Sequence, residues 1–172
     1  GESARRFADF LHAAGVRYWQ VLPLVQTGYG DSPYQSVFGA SGNPYLLDVE
    51  RLVAEGLLRP AEVRALRRVG DIDYGFLYNV KFAVLRRAFS RFDVRDPAFA
   101  AFVEGGEFHE YALFMALKEA HGGASFDRWK KEYRLRDPAA LERFLSENRG
   151  EYLFWLFLQY EFRRQWEDLR AY

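Results

Sequence analysis

Apolar residues recur along this chain with two spacings, and the predicted element changes where the spacing changes. Phe7, Phe10, Leu11 and Ala14 stand at i, i+3, i+4 and i+7, one face of a helix. Gly15 follows, where a helix C-terminus favours glycine. Val16 to Leu22 then reads as a strand, rich in β-branched and aromatic residues and closed by Pro23. Helix, glycine turn and strand make the αβ half of a βαβ unit, whose upstream strand is not in the sequence. From Pro23 to Leu46 no period holds. Pro23, Gly28, Gly30, Pro33, Gly39, Gly42 and Pro44 punctuate this stretch, and Tyr29, Tyr34, Phe38 and Tyr45 are interleaved with them. Disordered segments are poor in aromatics, so an ordered loop is expected. It follows the C-terminal end of a predicted strand, where α/β proteins bind ligands.

After Asp48 the pattern is helical. Asp48 can cap a helix over 49–57, with Gly56 near its end, and Pro60 can open a second running to about Arg68. Residues 70–75 read as a turn. Phe82, Leu85, Phe89 and Phe92 form an apolar stripe, with Lys81, Arg86, Arg87 and Arg91 opposite and expected in solvent. Pro97 begins a short helix to Glu104, broken by Gly105-Gly106. The stretches 107–120 and 151–172 are apolar nearly all round, which predicts helices covered on more than one side.

Composition narrows the class. In 172 residues, 24 Lys and Arg balance 24 Asp and Glu, so the clustered basic excess of a nucleic-acid-binding module is lacking. No apolar run approaches the roughly 18 residues that cross a bilayer, so no membrane partner is expected. With no cysteine there is no disulfide, thiol chemistry or Cys-ligated zinc, and a cytoplasmic location fits. Phe, Tyr and Trp make up 18% of the chain, a large supply of buried or stacking area. The missing upstream strand, a first residue that is not Met and a last helix with no stop predict a piece of a longer protein.

Candidate chemistry is sparse. His12, His109 and His121 follow no metal-binding spacing, and neither a metal nor a cofactor is expected. Gly28-Tyr29-Gly30 lacks the third glycine of a dinucleotide loop, and Gly39-Ala40-Ser41-Gly42 misses the serine-hydrolase elbow by one position. Asp31-Ser32-Pro33-Tyr34-Gln35-Ser36 is the densest polar cluster of the loop. An aromatic platform among short polar groups suits a sugar, which has C–H faces and hydroxyl edges. A tight turn in which Asp31 and Ser32 bond to the backbone uses the same residues.

At this loop a resemblance emerges. Arg17-Tyr18-Trp19-Gln20-Val21-Leu22-Pro23-Leu24, then Thr27 through Ser36, then Gly42-Asn43-Pro44-Tyr45-Leu46 resemble the 4-α-glucanotransferases (amylomaltases, or disproportionating enzymes) of glycoside hydrolase family 77. The likeness continues through Asp73-Tyr74-Gly75 to Tyr78, through Tyr111 to Gly123, and at Phe162-Arg163-Arg164-Gln165-Trp166. It covers essentially the whole chain, as a fragment of the family's N-terminal half.

The resemblance implies an α/β parent fold, a (β/α)8 TIM barrel with a helical insertion, of which this chain is mostly α-helical with about one barrel strand. Residues 1–47 would belong to the catalytic barrel, 48–150 to the insertion, and 151–172 to a helix leading back. It implies a retaining transfer of α-1,4-glucan segments between maltooligosaccharides, with no cofactor. The catalytic carboxylates would lie beyond Tyr172, so none is expected here and the chain alone is expected to be inactive. Tyr34 and Ser32 match substrate-binding positions, and Tyr29 and Tyr78 match a secondary glucan-binding site. The chain departs from the family at Gln26, at Val37–Ser41 and at Lys130-Lys131. Two other readings compete: a stand-alone α-glucan-binding module without catalysis, and a helical interaction domain. The oligomeric state is not legible.

Overall fold

The structure, a computed structural model, describes residues 1–28, 30, 32–67 and 70–172. Two compact units divide the chain. One comprises Gly1–Asp93 with Leu158–Tyr172, the other Val94–Phe157.

The first unit opens with α1 (Glu2–Ala13), ended by Gly15 at φ 72°. No residue of α1 is buried, and Phe7 meets Trp19 edge-on with ring centroids 5.0 Å apart. The segment 16–22 is not the expected strand. Among the described residues there is no strand, only one antiparallel bridge, Thr27 to Ser36. A strand exists through the N–H and C=O groups of a neighbour, and no described segment supplies them, so β propensity goes unused. The side chains of Val16, Tyr18, Trp19, Val21 and Leu22 are exposed instead.

Helices then follow closely. In α2 (Val49–Ala54) Asp48 accepts from Glu50 N at 3.1 Å, the expected cap. Helix α3 (Pro60–Val63) opens at its proline and tightens into a 3-10 turn over Arg64–Leu66; Arg68, the expected end, lies outside the described residues. Asp73 accepts from Phe76 N at 2.8 Å and caps α4 (Tyr74–Phe76). The chain continues without a break through a π turn, Leu77–Lys81, into α5 (Phe82–Arg91). Leu85, from the predicted stripe, is fully buried, as are Leu52 and Val63. Lys81 is not on a solvated face: it is buried, and the π turn interrupts the 3.6-residue register on which that expectation rested.

The second unit holds α6 (Pro97–Glu104), α7 (His109–Ala120), α8 (Lys131–Arg134) and α9 (Pro138–Glu147). Asp96 caps α6, accepting from Ala98 N and Phe99 N at 2.9 and 3.0 Å, and Asp137 caps α9. Tyr111, Ala112 and Ala116 of α7 are fully buried, as an all-round apolar helix requires. The final helix, α10 (Arg149–Ala171), gives its residues up to Phe157 to this unit and the rest to the first. No helix among the described residues is long and apolar enough to cross a membrane.

Candidate functional site

The loop between Pro23 and Leu46 is built by short-range polar contacts. At its tip Gly28 N donates to Gln35 O at 3.1 Å, Gln35 N to Ser32 O at 3.1 Å and Tyr34 N to Ser32 Oγ at 3.3 Å. Ser32 thus makes the turn contact that its residue type allows. The turn leaves Tyr34 72% exposed. Tyr29 and Asp31 lie outside the described residues.

The descending limb is pinned in turn. Ser41 N and Oγ both donate to Phe38 O, at 3.2 and 2.8 Å, and Asn43 N donates to Leu24 O at 2.8 Å. That last bond closes the neck of the loop. Ser41, Gly42, Asn43 and Pro44 are buried, so every polar atom of this limb needs a protein partner.

Two glutamines of α10 supply such partners. Gln159 Oε1 accepts from Gly42 N at 2.7 Å while Nε2 donates to Gly42 O at 3.1 Å. Gln165 does the same at Asp48, accepting at 2.7 Å and donating at 3.4 Å. A primary amide carries a donor and an acceptor as a peptide does, so each glutamine pairs with the loop as a strand would. Both contacts, and the ion pair of Arg51 with Asp168, join residues 117 apart, so the segment 42–51 runs parallel to α10 in one register. Gly42 is required by close approach: a Cβ there would stand 2.0 Å from Phe162 Cδ1.

A third partner comes from the π turn. Lys81 Nζ donates to Tyr45 O at 2.6 Å and to Leu47 O at 2.7 Å. Burial pushes its ammonium down to about 8, against a raising effect of Asp48. The same turn carries Tyr78, which is 59% exposed, its ring 5.9 Å from Phe82. Phe82 in turn lies edge-on to Tyr45 at 5.8 Å.

Beside the glutamine clamps sits a charge network. Arg164 pairs with Glu161 at 2.6 Å and with Glu55 at 2.9 Å, and Arg51 pairs with Glu55 at 3.0 Å and with Asp168. Glu161 is fully buried and its Oε2 has no partner. Burial pushes its carboxyl above the usual range, while Arg164 draws it back.

The expected roles separate in space. His12 is on the exposed α1, His109 Nδ1 lies 2.9 Å from Tyr152 Oη, and His121 Nδ1 lies 2.7 Å from Leu117 O. No group of His, Asp and Glu suited to a metal occurs among the described residues. The loop therefore offers contact surface and fixed backbone. Sequence reasoning missed Lys81, Gln159 and Gln165. The one available signal was a glutamine amid the apolar run Phe157-Leu158-Gln159-Tyr160.

Comparison with known proteins agrees along the whole chain. Residues 1–172 match the family described as 4-alpha-glucanotransferase, Glyco_hydro_77. The 4-alpha-glucanotransferase of Clostridium butyricum is 42% identical over 100% of the chain, and that of Thermus thermophilus 46% identical over 99%. The chain spans 37% and 35% of those relatives' lengths. A solved amylomaltase from Streptococcus agalactiae, in complex with acarbose, superimposes with a TM-score of 0.91 at 29% identity, covering 99% of this chain and 36% of that one.

Proposed function

Because the chain belongs to the 4-alpha-glucanotransferase family, glycoside hydrolase family 77, we propose that it forms one wall of the glucan cleft of such an enzyme. The enzyme would pass α-1,4-glucan segments between maltooligosaccharides. The chemistry would be a retaining double displacement, which needs a nucleophilic and an acid/base carboxylate about 5–5.5 Å apart. Neither is assigned to this chain. Residues 1–47 would join a (β/α)8 barrel, 48–150 would be its helical insertion, and 151–172 would lead back. A cysteine-free chain fits a cytoplasmic setting.

In this reading Tyr34 stacks on a glucosyl ring and the Ser32 hydroxyl bonds a sugar oxygen beside it. Tyr29 and Tyr78 form a second platform for a long glucan. Neutral α-glucans give charge nothing to steer, which agrees with a balanced chain. The observation that carries the proposal is Tyr34: a large ring left 72% exposed on a turn whose backbone is hydrogen-bonded on both sides. A rigid aromatic binds without an ordering cost.

The test is disproportionation of maltotriose. The natural full-length protein is expected to release glucose and longer maltodextrins, and the 172-residue chain alone neither. Transfer products from the purified chain would contradict the assignment of the carboxylates elsewhere.

A further inference from the structure

We propose that Lys81 is a positioning residue that fixes the loop limb below Tyr34 against the π turn bearing Tyr78, so that one long glucan can engage both tyrosines. The inference rests on the reading that these tyrosines contact glucan.

The geometry argues as follows. Lys81 is only 8% exposed, yet it donates to two carbonyls more than thirty residues earlier, at 2.6 and 2.7 Å. One carbonyl belongs to Tyr45 within the 3-10 turn Pro44–Leu46 and the other to its C-cap Leu47, where helix ends leave acceptors unpaired. The glutamine clamps tie the same limb to α10, so they leave its distance from Tyr78 unset. Lys81 sets it, because Tyr78 and Lys81 share the π turn Leu77–Lys81. Single π turns of this kind occur often at functional sites. The ring sequence Tyr78, Phe82, Tyr45 runs alongside, with centroids 5.9 and 5.8 Å apart. An apolar side chain would fill the stem's place without burying an ammonium, but could not hold the two carbonyls.

Two contacts on one ligand bind cooperatively only when their spacing matches the ligand. A long glucan therefore depends on Lys81 more than a trisaccharide does. The test uses the natural full-length protein and the ratio of KM for amylose to KM for maltotriose. Lys81→Met is expected to raise that ratio about fivefold, and Lys81→Arg, which keeps charge and donors, to restore most of it. Tyr78→Ala is the control. If it raises the ratio and folded Lys81→Met does not, the inference falls and the binding reading stands. If neither Tyr34→Ala nor Tyr78→Ala changes either KM, the binding reading falls and takes the inference with it.

Should Lys81→Met not fold, the unmodified protein decides. Its ratio is expected to rise between pH 7 and 9.5, as the ammonium loses its charge. Asp48, Glu50 and Arg67 share a cavity of 230 Å³ with Lys81; the ion pair between Glu50 and Arg67 holds the carboxyl below and the guanidinium above their usual ranges, so neither titrates over that span. A flat ratio would overturn the proposal.

Discussion

Gly42→Ala isolates the fit between the loop and α10. The added Cβ would stand 2.0 Å from Phe162 Cδ1 and 2.1 Å from its Cγ. Carbon atoms at rest lie roughly 3.5–4.0 Å apart, so one partner must move by about 1.5 Å. Cγ is the near end of the ring, and turning its far end aside gives no relief. The backbone at Gly42 is outside the left-handed region, so the effect is contact alone. Overpacking of this sort costs about 1–3 kcal/mol. Displacing the loop also loosens both bonds to Gln159, about 1 kcal/mol each. The expected destabilisation is therefore about 3–5 kcal/mol. Urea denaturation of the natural full-length protein measures it, and hydrogen exchange at the Gly42 and Asn43 amides localises it. Pairing with Phe162→Ala, which removes Cγ along with the ring, should recover at least about 1.5 kcal/mol of coupling. A loss below about 0.5 kcal/mol, or strict additivity with Phe162→Ala, would refute the reasoning.

Two pH effects follow from buried groups. Lys81 titrates near 8 in the folded protein and at its ordinary 10.5 unfolded. Between those values the unfolded chain binds more protons, so stability should rise with pH, by at most about 3 kcal/mol. Lys81→Met should remove that rise in urea titrations from pH 7.5 to 10.5; an unchanged slope would count against it. Glu161 behaves oppositely, since burial raises its carboxyl pKa. The folded state then binds the extra proton, so stability falls as pH rises above the ordinary 4.5. Glu161→Gln keeps an acceptor for Arg164 and removes the buried charge, so it should be neutral or stabilising by about 1 kcal/mol at pH 7. A thermal scan showing a loss of several degrees would contradict this.

The helices were legible because their signals are local. The cap Asp48, the opening prolines Pro60 and Pro97 and the stop at Gly15 each act within four residues, whereas the helix Pro138–Glu147 went unread. The segment 16–22 misled for the converse reason: a strand is a property of two segments, and its β-rich composition says nothing of the neighbour. The loop's order was readable from its aromatics. Its fastening was not, because Gln159 and Gln165 act across 117 residues and a buried lysine looks in sequence like a solvated one. Tyr34 and Tyr78 could be named from the resemblance, and only coordinates could place both rings at the surface.

The central claim is that Tyr34 is a sugar platform. Steady-state disproportionation of maltotriose by the natural full-length protein, compared with its Tyr34→Ala and Tyr34→Phe variants, tests it most directly. Losing a stacked ring is worth about 1.4 kcal/mol, so Tyr34→Ala should lower kcat/KM about tenfold while Tyr34→Phe keeps most of it. Equal kcat/KM for the wild type and Tyr34→Ala would contradict the account.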